Sequence, residues 1–263
     1  MKIYVVFLLT LCFSGFFSLN LAQGQSWTSP WKHNHFSTQE TPFVHSFSLE
    51  PAFLGRELFF NYSSSQEEGS KESELEMELE WAFTQRLGLV IEAPVVYSNL
   101  NESPAKHGVG DVAAAARALL IHTDFFLMAG NLEISLPSGN ESQGFGSGEV
   151  HLSPSFSFWY DLGQKMQVQA QTGVSRGVES GNLEYEYGVS LAYVFSNHDH
   201  SAGAHVDEGH AGKHSTSGVT SGIVEYTDES LLVGISHNVS EMLEVRGGIS
   251  DANSFIFGIV VHF

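Results

Sequence analysis

A single cysteine, Cys12, stands in 263 residues, and it lies inside an apolar amino-terminal run. A chain that loses that run keeps no thiol, so neither a disulfide framework nor a cysteine-based metal site holds it together. Positive charge is nearly as scarce. Lys and Arg total 11 against 30 Asp and Glu, for a net charge of -19. Nucleic acid as a partner is excluded, because phosphates need Lys and Arg. A basic helix lying on a membrane surface is excluded for the same reason. Charged residues of either sign make up only 16% of the chain, which is little for a surface facing water. Beyond residue 24 no apolar run is long enough for a transmembrane helix.

What is present points to export and to strands. Lys2 followed by the apolar stretch Ile3 to Leu11, extended through Phe13 to Leu21, reads as a signal peptide over residues 1–24. Small residues Ala22 and Gly24 permit cleavage there. Large Leu11 before Cys12 argues against a lipoprotein site. Gly (26), Phe (20) and Tyr (8) favour strands and tight turns.

Period-2 alternation recurs along the mature chain. Glu74, Glu76, Glu78 and Glu80 alternate with Leu75, Met77, Leu79 and Trp81. Gln167, Gln169 and Gln171 alternate with Val168, Ala170 and Thr172, and Glu184 and Glu186 with Tyr185 and Tyr187. Soluble sandwiches alternate too. Here, however, most strands are long, short turns alternate with longer loops, and aromatics gather at both strand ends. The final strand carries Phe255, Phe257, Ile259, Val261 and Phe263 on one face, which looks like the carboxy-terminal signature read by the outer-membrane barrel assembly machinery. The reading is all-β: a transmembrane antiparallel up-and-down barrel in the outer membrane of a Gram-negative bacterium. It has about twelve strands, at 53–64, 72–84, 86–99, 109–121, 124–137, 148–161, 164–177, 182–196, 219–227, 229–238, 242–250 and 253–263. Residues 25–45 are expected as a periplasmic leader and 46–263 as the barrel, with a His-rich insert at 197–218.

In such a barrel the apolar face meets lipid and the polar face lines the lumen. The expected lumen residues are Glu74, Glu76, Glu78, Glu80, Glu92, Asp111, Arg117, Glu133, Gln167, Gln169, Glu184, Glu186 and Arg246, with Glu225. Arg56, Arg176 and Lys165 join Arg117 and Arg246 as candidate counter-charges. Twelve strands predict a narrow or partly plugged lumen. Its acidic wall either forms a solvated network or disfavours anions.

The run Gly108-Val109-Gly110-Asp111-Val112, the segment Leu132 to Gly139 with its Leu136-Pro137-Ser138-Gly139 end, and Gly146 to Pro154 resemble the outer-membrane proteins grouped as "MetA-pathway of phenol degradation" transporters. Ser138 stands where that pattern has Thr. The resemblance spans roughly residues 45–263 outside the insert. It implies a channel for small hydrophobic or aromatic solutes, and it carries over no ligand residue.

Thirteen histidines are unevenly placed. His198, His200, His205, His210 and His214 share the insert with Asp199, Asp207 and Glu208, a donor set that suits Zn, Cu or Ni. The spacing matches no closed structural zinc site. Strand parity puts the insert, with His33, His35, His45, His122, His237 and His262, at the periplasmic mouth, and leaves His107 and His151 outside. Metal binding or delivery is therefore an alternative function, and a structural or surface-interaction barrel is another. Catalysis is not expected. Gly173-Val174-Ser175-Arg176-Gly177 matches a nucleophile elbow in letters, but a strand follows it where a helix is required. His151, Ser153 and Glu149 alternate as any lumen wall would.

Overall fold

The computed structural model describes residues 26–67, 70–99, 105–196 and 216–263. The signal peptide therefore lies outside the described residues, as do His198, His200, His205, His210 and His214. Thirteen strands follow one another: β1 Arg56–Glu67, β2 Ser70–Ala82, β3 Leu87–Asn99, β4 Lys106–Val109, β5 Val112–His122, β6 Phe126–Leu136, β7 His151–Gly163, β8 Met166–Gly177, β9 Leu183–Ser196, β10 Thr220–Thr227, β11 Leu231–Ser240, β12 Leu243–Ser250 and β13 Ser254–His262. Each pairs antiparallel with its sequence neighbour, apart from β4 and β5. β1 also pairs with β13, from Glu57 opposite His262 to Ser65 opposite Ser254, and this closes the barrel. β4 and β5 both pair with β3 and make one interrupted crossing. Twelve crossings result, as the alternation predicts. The expected strand at 109–121 is broken at Gly110-Asp111, where Gly110 N–H turns to Pro94 O at 2.9 Å.

The solvation of the two faces is the reverse of a soluble protein's. Inside, Ser157, Gln167, Ser190 and Glu225 are at most 1% exposed. Outside, Leu75, Met77, Val189, Leu191 and Tyr193 are 37–45% exposed with no chain against them. Burial of the polar face and exposure of the apolar one makes sense only if hydrocarbon is the outer solvent. Trp81, Phe83, Phe195 and Phe263 mark one rim of this belt, and Tyr185, Tyr226 and Phe255 mark the other. Among the described residues no helix is long and apolar enough to cross a membrane, and the only helical turn is Glu141–Gln143.

The turns after β2, β5, β7 and β11 are short, and they share a rim with Arg56 and His262. The opposite rim carries the longer connection between Leu136 and His151. Short turns belong to the periplasmic side, so the Arg56 rim is called the lower mouth. β9 ends and β10 begins there, which places both flanks of the insert at that mouth.

Replacing Leu191 by Arg is expected to cost about 2–4 kcal/mol of barrel stability in phospholipid vesicles, read by urea unfolding. A cost under about 1 kcal/mol would mean that this face does not meet hydrocarbon.

Candidate functional site

Residues 37–55 run inside the barrel. The expected leader to residue 45 and the expected first strand from 53 both reach into this segment. The wall starts at Arg56, and the segment before it is a hairpin-like plug. Its backbone is held by inward side chains from strands all around the barrel. Gln167 donates Nε2–H to Pro42 O at 2.6 Å, and its Oε1 accepts from Val44 N–H and from Trp159 Nε1–H. Gln169 donates to Val44 O at 2.6 Å, and Gln171 accepts from Glu50 N–H at 2.7 Å. Glu225 accepts from Phe47 and Ser48 N–H at 2.8 and 2.9 Å, and Arg246 donates to Ser46 O at 2.8 Å and to Asn61 Oδ1 at 2.7 Å. A chain inside a barrel has no strand partner, so these side chains satisfy backbone groups that burial would leave unpaired.

Apolar packing fills the rest. Val44 and Phe47 join Ala192, Val194, Val219, Ile223 and Leu232 in one cluster. Ala52 and Phe53 join Leu119, Leu127, Ala129 and Trp159 in another. The lower inner wall thus carries apolar patches, contrary to a uniformly polar lumen, because it packs the plug and not water. Gly234 makes room for it: a Cβ there would lie 2.5 Å from the Phe47 ring.

Two charged clusters pin the plug. Arg117, 2% exposed, contacts Glu80 at 3.0 Å, Asn131 Oδ1 at 3.1 Å and Glu50 of the plug. Lower down, His45 Nε2 meets Glu57 Oε2 at 2.8 Å and its Nδ1 lies 3.5 Å from Glu244, while His262 Nδ1 meets the other Glu57 oxygen at 2.9 Å. Burial opposes charge on His45, but the Glu57 carboxylate outweighs it, and the imidazole pKa is raised to about 10.

Above the plug lies a cavity of about 530 Å³. Glu74, Glu76, Glu78, Glu92 and Glu133 line it, with Arg246 and plug residues His45 to Pro51. No Lys, Arg or His among the described residues forms an ion pair with any of those five carboxylates. Asn61 donates to Glu76 at 3.3 Å. The structure therefore splits the expected lumen set. Glu80, Arg117, Gln167, Gln169 and Arg246 hold the plug or its surroundings. Glu184 and Glu186 lie at the upper end of β9, outside the cavity lining. Asp111 is a loop clamp, accepting from Gly139 N–H at 2.9 Å and from Ser147 N–H and Oγ–H at 2.7 and 2.8 Å. Arg56 is not a lumen counter-charge, because its guanidinium sits 4.6 Å from the rings of both Trp31 and Trp81. Arg176 alternates with inward Ser175 and is exposed.

Sequence reasoning missed the plug ligands Glu50, Gln171 and His45. The Gln167 to Gln171 alternation and the aromatics Phe43, Phe47 and Phe53 were the available signals. Ser175 Oγ accepts from Ser153 Oγ–H at 3.0 Å and lies 3.5 Å from His151 Nδ1. Glu149 is turned away to the β8–β9 loop, accepting from Ser180 Oγ–H at 2.5 Å and from Ser180 and Glu179 N–H at 2.8 Å. These residues form a wall contact without an acid on the histidine. Phe263 ends the outward face of the last strand, 51% exposed, its N–H bonded to Arg56 O at 2.9 Å.

No family model and no curated protein matches the sequence. A KdgM porin aligns over 79% of this chain and 99% of its own, at 9% identity and a TM-score of 0.49. The same porin in complex with disordered oligogalacturonate aligns over 79% and 99%, at 10% and 0.47. An outer-membrane channel from Pseudomonas putida F1 aligns over 84% and 100%, at 14% and 0.48. At these values the likeness is one of barrel shape, and no residue or solute carries over.

Arg117→Leu leaves Glu80 without its cation and is expected to destabilise the barrel by about 3–5 kcal/mol in urea unfolding. Adding Glu80→Leu and Glu50→Gln should restore most of that loss. If the triple variant is no more stable than the single one, the guanidinium does not act through these carboxylates.

The Ser180 hydroxyl, then the backbone N–H groups of Ser180 and Glu179, hold the Glu149 carboxyl below its ordinary value of 4.5. A depressed carboxylate contributes stability above its unfolded pKa and loses it as pH falls through the folded one. The Ser180 amide resonance should therefore titrate with a midpoint below 4.5. A midpoint at or above that value would show the loop clasp to be absent.

Proposed function

We propose that the protein is an outer-membrane channel of a Gram-negative bacterium that admits small cationic and neutral solutes past an internal plug. The observation that carries this reading is the set of five unpaired carboxylates around a cavity of about 530 Å³, closed from below by the plug. Carboxylates clustered inside a low-dielectric wall concentrate cations and repel anions. The hydrophobic or aromatic solutes implied by the family resemblance find Phe47, Phe59 and Leu232 in the lining, but acidic groups dominate it. An organic cation with an apolar body satisfies both kinds of surface. Passage requires the plug to shift, since it is held between opposite walls, by Gln169 of β8 and by Glu57 of β1.

Planar-bilayer recordings under a KCl gradient test this. The native channel should show small, cation-selective conductance. Glu76→Gln, Glu78→Gln and Glu92→Gln together should lower the cation-to-anion permeability ratio by about threefold or more. An unchanged reversal potential would remove the acidic wall from selectivity. No conductance and no solute flux into proteoliposomes would favour a structural barrel.

A further inference from the structure

The lower mouth gathers histidines: His45 and His262 share the Glu57 carboxylate, and His33 and His35 stand beside them. His35 lies in the leader, Glu57 at the start of β1 and His262 at the end of β13. Glu57 and His262 are register partners at the seam that closes the barrel. One donor atom from each of these three residues lies within 4.8 Å of the other two. The His33 ring is 4.1 Å from the His35 ring, and the His35 ring is 4.9 Å from the His262 ring.

We propose that His35, Glu57 and His262 form a binding site for a divalent transition-metal ion of the Zn2+, Ni2+ or Cu2+ kind, with His33 as the adjacent fourth donor. Three observations converge on it. Two imidazoles and a carboxylate are the donor types these ions take. His35 Nε2 is buried and has no hydrogen-bond partner, an arrangement that a metal bond would satisfy. A cavity of about 10 Å³, room for about one water-sized sphere, lies on the leader side of the three donors, between His33, His35, His45 and Glu57 and the apolar Phe43, Phe53 and Leu54; His262 is outside its lining. Metal bonds of about 2.1 Å place tetrahedral donors about 3.4 Å apart, so the three groups need to close by little more than an ångström.

The surroundings fit as well. His45, bonded to Glu57 and near Glu244, orients the carboxylate from behind, as outer partners of metal ligands do. A bound ion would staple the leader to the barrel seam at the mouth where the flanks of residues 197–215 also end. This site is distinct from the histidines of that segment and does not depend on the channel reading.

The test uses the full chain folded in detergent micelles, with Zn2+ as probe against a chromophoric chelator and Co2+ for its visible ligand-field bands. To silence the insert, His198, His200, His205, His210 and His214 are all changed to Asn. That background should still bind one equivalent of Zn2+ and give tetrahedral Co2+ bands. His35→Ala should weaken Zn2+ binding by about tenfold or more and abolish the bands, while His107→Ala at the opposite rim changes neither. His35 sits in the leader, not in a strand, so its variant keeps the barrel, checked by circular dichroism. The proposal is overturned if the background binds no stoichiometric Zn2+, or if His35→Ala binds it within twofold as tightly.

Discussion

Arg117 joins the barrel wall to the chain inside it, and the fold of the interior depends on that contact. A guanidinium 2% exposed to solvent carries a desolvation cost of several kcal/mol unless anions and hydrogen-bond acceptors surround it. Glu80 from β2, Asn131 from β6 and Glu50 from the plug supply them. Neither wall nor plug is self-sufficient. Without the plug, Arg117 keeps one carboxylate for two adjacent faces of its fork. Without Arg117, Glu80 is a buried charge next to nothing positive. The same reciprocity holds at Glu225, whose two oxygens accept the N–H groups of Phe47 and Ser48.

A barrel of twelve crossings encloses more space than inward side chains of ordinary size can fill. The chain solves this differently in its two halves. Near the lower mouth inward Leu119, Leu127, Trp159 and Val194 pack Phe43, Phe47 and Phe53, and inward Gln167 and Glu57 bond the plug between them. Higher up they become Glu74, Glu76, Glu92 and Glu133, which cannot pack apolar chain and stay apart from one another around open volume. The height at which the inner wall changes from apolar to acidic therefore sets where the plug ends and the vestibule begins.

Much of this was readable from the residues. Glu74 to Trp81 could only be a strand with one wet and one apolar face, and the repeated pattern with its terminal aromatics fixed the barrel, its strand number and most strand limits to within a few residues. The plug was not readable, because its determinants are long-range. Residues 37–55 do not alternate, and their backbone is bonded by side chains more than a hundred positions away, Gln167 and Glu225 among them. A Gln that caps a plug carbonyl and a Gln that faces water look alike in one dimension. Asp111 shows the converse failure. Its parity pointed inward, but the loop that returns from Gly139 to Ser147 to occupy both of its oxygens leaves no trace in periodicity.

The plug is not held equally on all sides, and this constrains any route past it. Mainly along β6 to β11 it is fixed by amide bonds from Gln167, Gln169 and Gln171, by the Glu225 carboxylate and by two apolar clusters. Losing these contacts all at once would cost far more than a single solute can offset, at about 1 kcal/mol for each hydrogen bond and more for the buried rings. Against β1, β5 and β12 it is fixed by charge: Glu50 on Arg117, Ser46 on Arg246, His45 on Glu57. The open cavity lies along this same side, between Asn61, Glu76, Glu78 and Arg246. Charge contacts depend on pairing: when one partner is removed the other stays behind as a buried charge, and the loss exceeds that of a neutral hydrogen bond. The plug is therefore seated by shape on one side and by matched charges on the other, and its backbone is satisfied only when both sides are in place.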